Sequence, residues 1–301
     1  MLFDFIKEET KDTKALASNV VIDAYTDSNG CGFKCVELAT NVKSLVQIKP
    51  SQSFTILCHP CSYCTGYYSL DNSTRVHCAL GSTVKDNFAN CQDCRSKETF
   101  NPFFYNVSAS DISPQQQQRN KQPHSVYLAA FGPDINLTKV GITKTSRVAA
   151  RASEQGALAF VVIAESPTAD EARLLEAKIA KSTKIKENIQ FKAKAQYLQA
   201  AGFNVKWVKS ELQRLLQETA NSYALDCSKW IETSVNYFTP NDDILTRSTI
   251  VTNLQISHNV TVKMVGVIGQ MLILQNQQNK CYLVNVKKMF GKCAICPKTD
   301  N

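Results

Sequence analysis

Residues 139–157, KVGITKTSRVAARASEQGA, set two arginines, Arg147 and Arg151, four positions apart. On a helix that spacing projects both guanidinium groups from one face. Two aligned cations are either a solvated surface or a phosphate site, because the planar guanidinium fork matches phosphate oxygens. A second concentration of chemistry lies upstream. The chain has 12 cysteines, and two Cys-x2-Cys knuckles, Cys58/Cys61 and Cys91/Cys94, flank a turn-rich segment. Each knuckle presents two thiolates at a turn, and two such turns complete the tetrahedral four-sulfur site of a structural Zn2+. Cys64 and Cys78 lie between them and are alternative ligands, whereas His59 and His77 are weaker candidates where thiolates are already in supply. A closed four-thiolate site has no open coordination position, so its role would be structural and not catalytic. Cys31, Cys35, Cys293 and Cys296 either join in a second metal site or remain free thiols, and a lone Cys-x2-Cys pair favours the second.

The elements that must position these residues can be read from periodicity. ASNVVIDAY, KSLVQIK and SFTIL are short β-branched runs separated by Gly, Asn, Pro and Ser, which predicts a β-rich N-terminal unit over 1–57. The Cys-rich segment occupies 58–100. SPQQQQRNKQP at 113–123 reads as a linker, so 101–123 connects the Cys-rich segment to the domain that begins at residue 124. SVYLAAF and KVGIT around the turn GPDINLT predict a hairpin. Ser146 is a candidate N-cap for a helix over 147–155, with Gly156 as its stop. LAFVVIAE predicts a third strand. Thr168 and Glu171 stand at capping-box spacing ahead of a helix whose face carries Ala172, Leu175 and Ile179. The order β-β-α-β-α makes 124–200 a compact α/β domain. Residues 201–301 complete the chain as a helical segment, with a strand-like break at FNVKWV, and a small β module built on VTVKMVGVIGQMLILQNQQNKCYLVNVKK with an NQQN turn. The fold class is α+β, multidomain.

Composition narrows the function. Hydrophobic residues at 44% and charged residues at 20% fit a globular protein with a real core. The net charge of +8 and sequence pI of 8.8 favour a polyanionic partner. No stretch approaches the roughly 18 apolar residues of a membrane span. The N-terminus MLFDFIKEETKDTK lacks a basic start and long apolar run, so a cytoplasmic location is expected.

Ser125-Val126-Tyr127, Lys139-Val140-Gly141, Arg151 on the next helix and Glu176 in ARLLEAKIAK together resemble the GIY-YIG endonuclease superfamily. A closer likeness joins PHSVYLAAFG and KVGITKTSRVAARASEQGA, behind a Cys-rich segment, to an uncharacterised Cys-rich prokaryotic branch of that superfamily, domain of unknown function family 2797. GVIGQMLIL with YLVNVKK resembles the small β module of the same branch. The resemblance implies that Tyr127 is a base or positioning hydroxyl, Arg151 a phosphate clamp, and Glu176 the ligand of one Mg2+ or Mn2+. Those roles are chemically sufficient for phosphodiester hydrolysis, which needs a base for water, a cation at the developing charge and a metal for the leaving oxygen. Lys139, Gly141, Arg147 and His124 are the candidate substrate-binding residues beside them. The sequence departs from the superfamily at Lys139, where a tyrosine is usual, and at Ser125, where a glycine is usual. A lysine replaces the phosphate contact but serves as a base only if its pKa is strongly lowered.

Downstream, Lys178, Lys181, Lys184, Lys186, Lys192, Lys194, Lys206 and Lys209 form a basic run interleaved with Tyr197, Phe203 and Trp207. Such a run either tracks phosphates and stacks bases or lines an amphipathic helix whose aromatics are core. The expected function is that of a nucleic-acid-binding protein, DNA or RNA, acting as a divalent-metal-dependent nuclease. The alternatives are an inactive nucleic-acid-binding module and a zinc-stabilised scaffold for protein partners.

Overall fold

The protein, described by a computed structural model, is seen over residues 18–71, 73–85, 89–106, 109–183, 185–223, 229–231, 237–251 and 259–298. The charged N-terminal stretch and Lys184 of the basic run lie outside the described residues. The chain divides into two compact units, one made of 1–100 with 248–301 and the other of 101–247.

The first unit begins with an antiparallel sheet of β1 (Asn19–Asp27), β2 (Gly30–Glu37) and β3 (Lys43–Ile48) in that order. β1 and β3 occupy expected runs, whereas β2, GCGFKCVE, is an addition. Its inward positions Cys31, Phe33 and Cys35 are buried at period two, a pattern obscured by the flanking glycines Gly30 and Gly32. Gly30 at φ +124 opens the strand where a Cβ would strike the Ile48 carbonyl oxygen. β4 (Ser53–Cys58) comes next. The Cys-rich segment then forms two ribbons, β5 (Ser62–Tyr63) with β8 (Thr83–Val84) and β6 (Tyr67–Ser69) with β7 (Thr74–Val76), and the short helix α1 (Gln92–Ser96).

The second unit opens with α2 (Pro114–Asn120), where the sequence predicts a linker. The helix forms because Ser113 accepts the Gln116 N–H at 3.1 Å, Pro114 sits in the first turn, and the Gln116 side chain is buried, donating to Asn120 at 2.7 Å. β9 (His124–Ala130), β10 (Thr138–Lys144), α3 (Val148–Gln155), β11 (Ala159–Ser166) and α4 (Ala169–Ser182) then run in the expected β-β-α-β-α order. α5 (Phe191–Ala201), α6 (Val205–Tyr223), β12 (Lys229–Ile231) and α7 (Asp242–Thr246) complete the unit. FNVKWV is therefore helical from Val205 and not a strand, because its Val208 and Leu212 share a buried stripe. The sheet order is β10-β9-β11-β12, all antiparallel. Every residue of β9 is buried, as a central strand requires. Tyr127, Ala129 and Phe131 on one of its faces pack with Phe160 and Val162 of β11 and Val148 and Ala152 of α3. α3 starts after a 3-10 turn at Thr145–Arg147, with Arg147 and not Ser146 at its cap, and ends at Gly156 in the left-handed conformation, φ +66. Thr168 caps α4 by accepting the Glu171 N–H at 3.3 Å.

The chain then returns to the first unit as β13 (Thr249–Val251), β14 (Val260–Ile268), β15 (Met271–Asn276), β16 (Cys281–Asn285) and β17 (Cys293–Pro297). These complete a six-stranded sheet ordered β13-β16-β15-β14-β4-β17. β4 lies between β14 and β17, so the expected N-terminal and C-terminal units share one sheet and one core. A strand that buries Phe54, Ile56 and Leu57 needs partners on both edges, and both come from the C-terminal strands. The NQQN turn closes β15 onto β16 with Asn279 at φ +60, while Asn276 Oδ1 accepts the N–H groups of Gln278 and Lys280 at 3.1 and 2.9 Å.

Candidate functional site

In the first unit, the thiols of Cys64, Cys78, Cys91 and Cys94 lie within 4.8 Å of one another. A tetrahedral zinc with bonds of about 2.3 Å separates its sulfurs by about 3.8 Å. Cys78 and Cys91 stand at 3.9 Å, and the group fits a closed tetrathiolate site. Backbone N–H groups reach the sulfurs of Cys64 and Cys78. Cys64 Sγ accepts the N–H groups of Gly66 at 3.4 Å and Cys91 at 3.1 Å. Burial pushes the Cys78 thiol up, but hydrogen bonds from the Ser82 and Leu80 N–H groups and from neighbouring thiols outweigh it and bring the pKa to about 7. These four residues could hold a metal such as zinc.

Cys58 and Cys61 are not among them, contrary to the knuckle pairing read from spacing. Cys58 ends β4 opposite Cys293 of β17, and the two sulfurs lie 3.5 Å apart in the sheet. The strand thus commits Cys58 to the sheet, and Cys64 takes the place expected of it. The usable signal was a glycine shortly after each of two cysteines, CTG at 64–66 and CALG at 78–81. Gly66 at φ +80 and Gly81 at φ +54 turn the chain so that amides point at sulfur. Cys31, Cys35 and Cys293 are buried in the apolar core, and Cys296 lies on β17. Among the described residues, no second group of metal-ligating side chains exists.

In the second unit, Tyr127 and Gly141 are directly paired across β9 and β10. The Tyr127 ring lies over Gly141, where a Cβ would come within 2.5 Å of the phenol oxygen, and it stacks on Phe160 at 4.5 Å. Arg151 on α3 donates from Nε to that phenol oxygen at 3.3 Å. Burial works against the Arg151 charge, but Tyr127 and Glu154 outweigh it and raise its pKa, so the guanidinium stays charged. Arg147 and Arg151 do project together, and Glu154 lies between them, 2.5 Å from Arg147 and 3.7 Å from Arg151. Lys139 is buried and its ammonium sits 5.8 Å from the Tyr127 ring centre. It also attracts Glu176 electrostatically.

Glu176 is 6% exposed on α4, and burial is the main cause that raises its pKa. Its carboxylate accepts from Arg173 at 2.5 Å, and the same guanidinium donates to Glu187 at 2.9 Å. Its charge is already compensated by a protein cation, so this arrangement does not fit a hard divalent ion held by one carboxylate and water. His124 stands three residues before Tyr127, which puts it on the opposite face of β9. Its Nδ1 lies 2.8 Å from the Gln122 carbonyl, and burial lowers its pKa. The structure therefore joins Tyr127, Gly141, Arg151, Arg147, Lys139 and Glu176 in one neighbourhood and leaves His124 outside it.

A family model described as protein of unknown function (DUF2797) matches residues 52–293. The chain belongs to this family. No curated protein and no solved structure matches it significantly. The match spans both units, so the family's unit of inheritance includes the cysteine cluster and the α/β sheet together. Among the described residues of this family member, no helix is long and apolar enough to cross a membrane.

Arg173 neutralises Glu176, the pairing that the i,i+3 spacing on α4 offers in place of a metal ligand. Two further residues, Glu187 and Lys144, were not singled out from sequence for the roles they have here. Glu187 joins Arg173 across a loop, which no local pattern reveals. Lys144, at the end of β10, has its pKa lowered first by burial and then by Arg119 and Arg147, which marks a local excess of positive charge. Of the expected stacking aromatics, Tyr197 packs under Gly132 and Phe203 meets Tyr237 edge-on at 6.1 Å, while Trp207 is 47% exposed.

Proposed function

We propose that the α/β unit is GIY-YIG-like and binds nucleic acid through its phosphates, without metal-dependent cleavage. The observation that carries this reading is Arg151, a charged guanidinium positioned by the Tyr127 hydroxyl over Gly141, with Lys139 beside the same ring. A guanidinium oriented by a phenol hydroxyl and faced by Glu154 at 3.7 Å can exchange that loose ion pair for a phosphate. Arg147 stands beside Arg151 and shares Glu154 with it, while Lys144 adds positive charge at the end of the hairpin on the opposite face, across from His124. The binding-only form is preferred over hydrolysis because Arg173 occupies the carboxylate of Glu176. A nuclease would need Mg2+ or Mn2+ there, supplying electrostatic relief at the leaving oxygen. Separately, Cys64, Cys78, Cys91 and Cys94 are proposed to bind a structural Zn2+ that orders the turn-rich segment of the first unit.

The test combines salt-dependent affinity with a cleavage assay on single-stranded, duplex and structured substrates, with Mg2+, Mn2+ or EDTA. The expected result is affinity that falls steeply with salt, loss of about tenfold in Arg151→Ala, and intact substrate in every lane. Metal-dependent cutting that disappears in Glu176→Gln would replace this reading with the nuclease. Salt-insensitive or absent binding would remove the nucleic-acid reading altogether and favour a protein partner.

A further inference from the structure

The loop that leads into α2 carries three consecutive aromatic residues with opposite fates. Phe104 is buried at 7% exposure, while its neighbours Phe103 and Tyr105 are 60% and 37% exposed. The arrangement is built, not frayed. Phe104–Asn106 forms a 3-10 turn closed by the Asn106 N–H on the Phe103 carbonyl at 2.9 Å. Asn101 Oδ1 accepts the Phe103 N–H at 2.8 Å, and the Asn101 N–H reaches the buried Gln116 side chain at 3.2 Å. Phe104 thus anchors the turn and turns the other two rings outward.

Those rings adjoin the site. The Arg173 guanidinium lies over Tyr105, 3.9 Å from the ring centre, and is fixed there by Glu176 and Glu187. Phe103 meets Tyr105 at 6.5 Å with the ring planes 65° apart. A continuous series therefore runs from Phe103 through Tyr105, Arg173 and Glu176 to Lys139, Tyr127 and Arg151. One end offers an exposed aromatic face and the other offers cations.

We propose that Phe103 and Tyr105 form a base-stacking platform, so that the ligand of this site is single-stranded or locally unpaired nucleic acid. The proposal rests on the nucleic-acid reading of the α/β unit and names its substrate class. Only an unpaired base presents a free π-face to a protein ring, because in a duplex both faces are stacked. The positive charge of Arg151, with Arg147 beside it, tracks the backbone, while the rings receive the base. A purely apolar protein partner would bury the same rings but has no use for the adjoining cations.

The experiment uses the full chain and fluorescence anisotropy with three probes: a single-stranded oligonucleotide, its duplex, and the same single strand with abasic sites. Phe103→Ala is compared with wild type, and Val42→Ser, just before β3, serves as an exposed apolar control. Circular dichroism and thermal melting confirm that Phe103→Ala is folded, and Tyr105→Phe keeps the Arg173 stack as a second variant. The expected result is a loss of about tenfold for the single strand in Phe103→Ala, with duplex and abasic affinities unchanged and Tyr105→Phe near wild type. Equal losses on all three probes, or no loss on any, would overturn the platform while salt-dependent binding by the wild type keeps the broader reading. Absence of binding by the wild type to every probe would bring down both.

Discussion

At the scale of single residues, the site is defined by what each side chain already holds. Arg173 and Glu176 are both largely buried, so breaking one side leaves an uncompensated charge. Arg173→Met is expected to destabilise the protein by about 3–5 kcal/mol, and Arg173→Met with Glu176→Gln to recover most of it. Chemical denaturation of these two variants and of Glu176→Gln alone measures this, and additive losses would show that the pair is not coupled. Gly141→Ala places a methyl group against the Tyr127 phenol and must push the ring off Arg151. A cost of about 1–3 kcal/mol is expected, with weaker oligonucleotide binding than the stability loss explains. His124 carries a pH signature. Its folded pKa lies below the ordinary value of 6.5, first through burial and then through Arg119 and Lys144, with the Gln122 carbonyl and Asp170 opposing. The unfolded chain therefore binds the proton more readily, and the stability His124 contributes above pH 6.5 is lost as pH falls from there through the folded pKa. Melting temperature against pH should slope downward on acidification, and His124→Asn should flatten part of the slope.

At the scale of elements, the cysteine ribbons give the sharpest test, because the ligand set read from spacing and the one assembled by the fold differ. Cys78→Ser should lose bound zinc and the protection of residues 62–97, whereas Cys61→Ser should keep the zinc content of wild type. Inductively coupled plasma measurements on the two variants decide between the sets. The elements also show why sequence was readable in some places and not in others. The β-β-α-β-α order and Gly156 were legible because their signals are local: alternation, periodicity and a residue suited to positive φ. Tyr127, Arg151 and Lys139 come together because they sit on those same elements. α2 was hidden by its glutamine run, for although Ser113 and Pro114 are a local start signal, the burial of Gln116 depends on a neighbouring loop. β2 was hidden by Gly30 and Gly32 on either side of Cys31. The replacement of Cys58 by Cys64 could not be read from spacing, because it results from pairing with Cys293, far away in sequence.

At the scale of the whole molecule, the first unit is discontinuous, and that has a folding consequence. β4 is made early in the chain, yet its two neighbours, β14 and β17, come from beyond residue 248. The inward residues Phe54 and Ile56 share a core with Val262, Leu272, Leu274 and Ile295, so neither portion buries its apolar face alone. The second unit draws its sheet and its core from one continuous stretch, with short connections between β9, β10, α3 and β11. Contacts close in sequence form before distant ones reward the closure of a long intervening chain. A chain stopped after Arg247 removes β13 through β17 while leaving every element of the second unit in place. Hydrogen exchange on this truncated chain should show protected amides in β9, β10 and β11 and rapid exchange throughout β1 to β4. The same chain should retain salt-dependent nucleic-acid binding, since Arg151, Lys139, Phe103 and Tyr105 all lie before the stop. Rapid exchange in β9 to β11 as well would mean that the α/β unit draws its stability from the β-rich one, and that the family keeps the two together for folding and not for function alone.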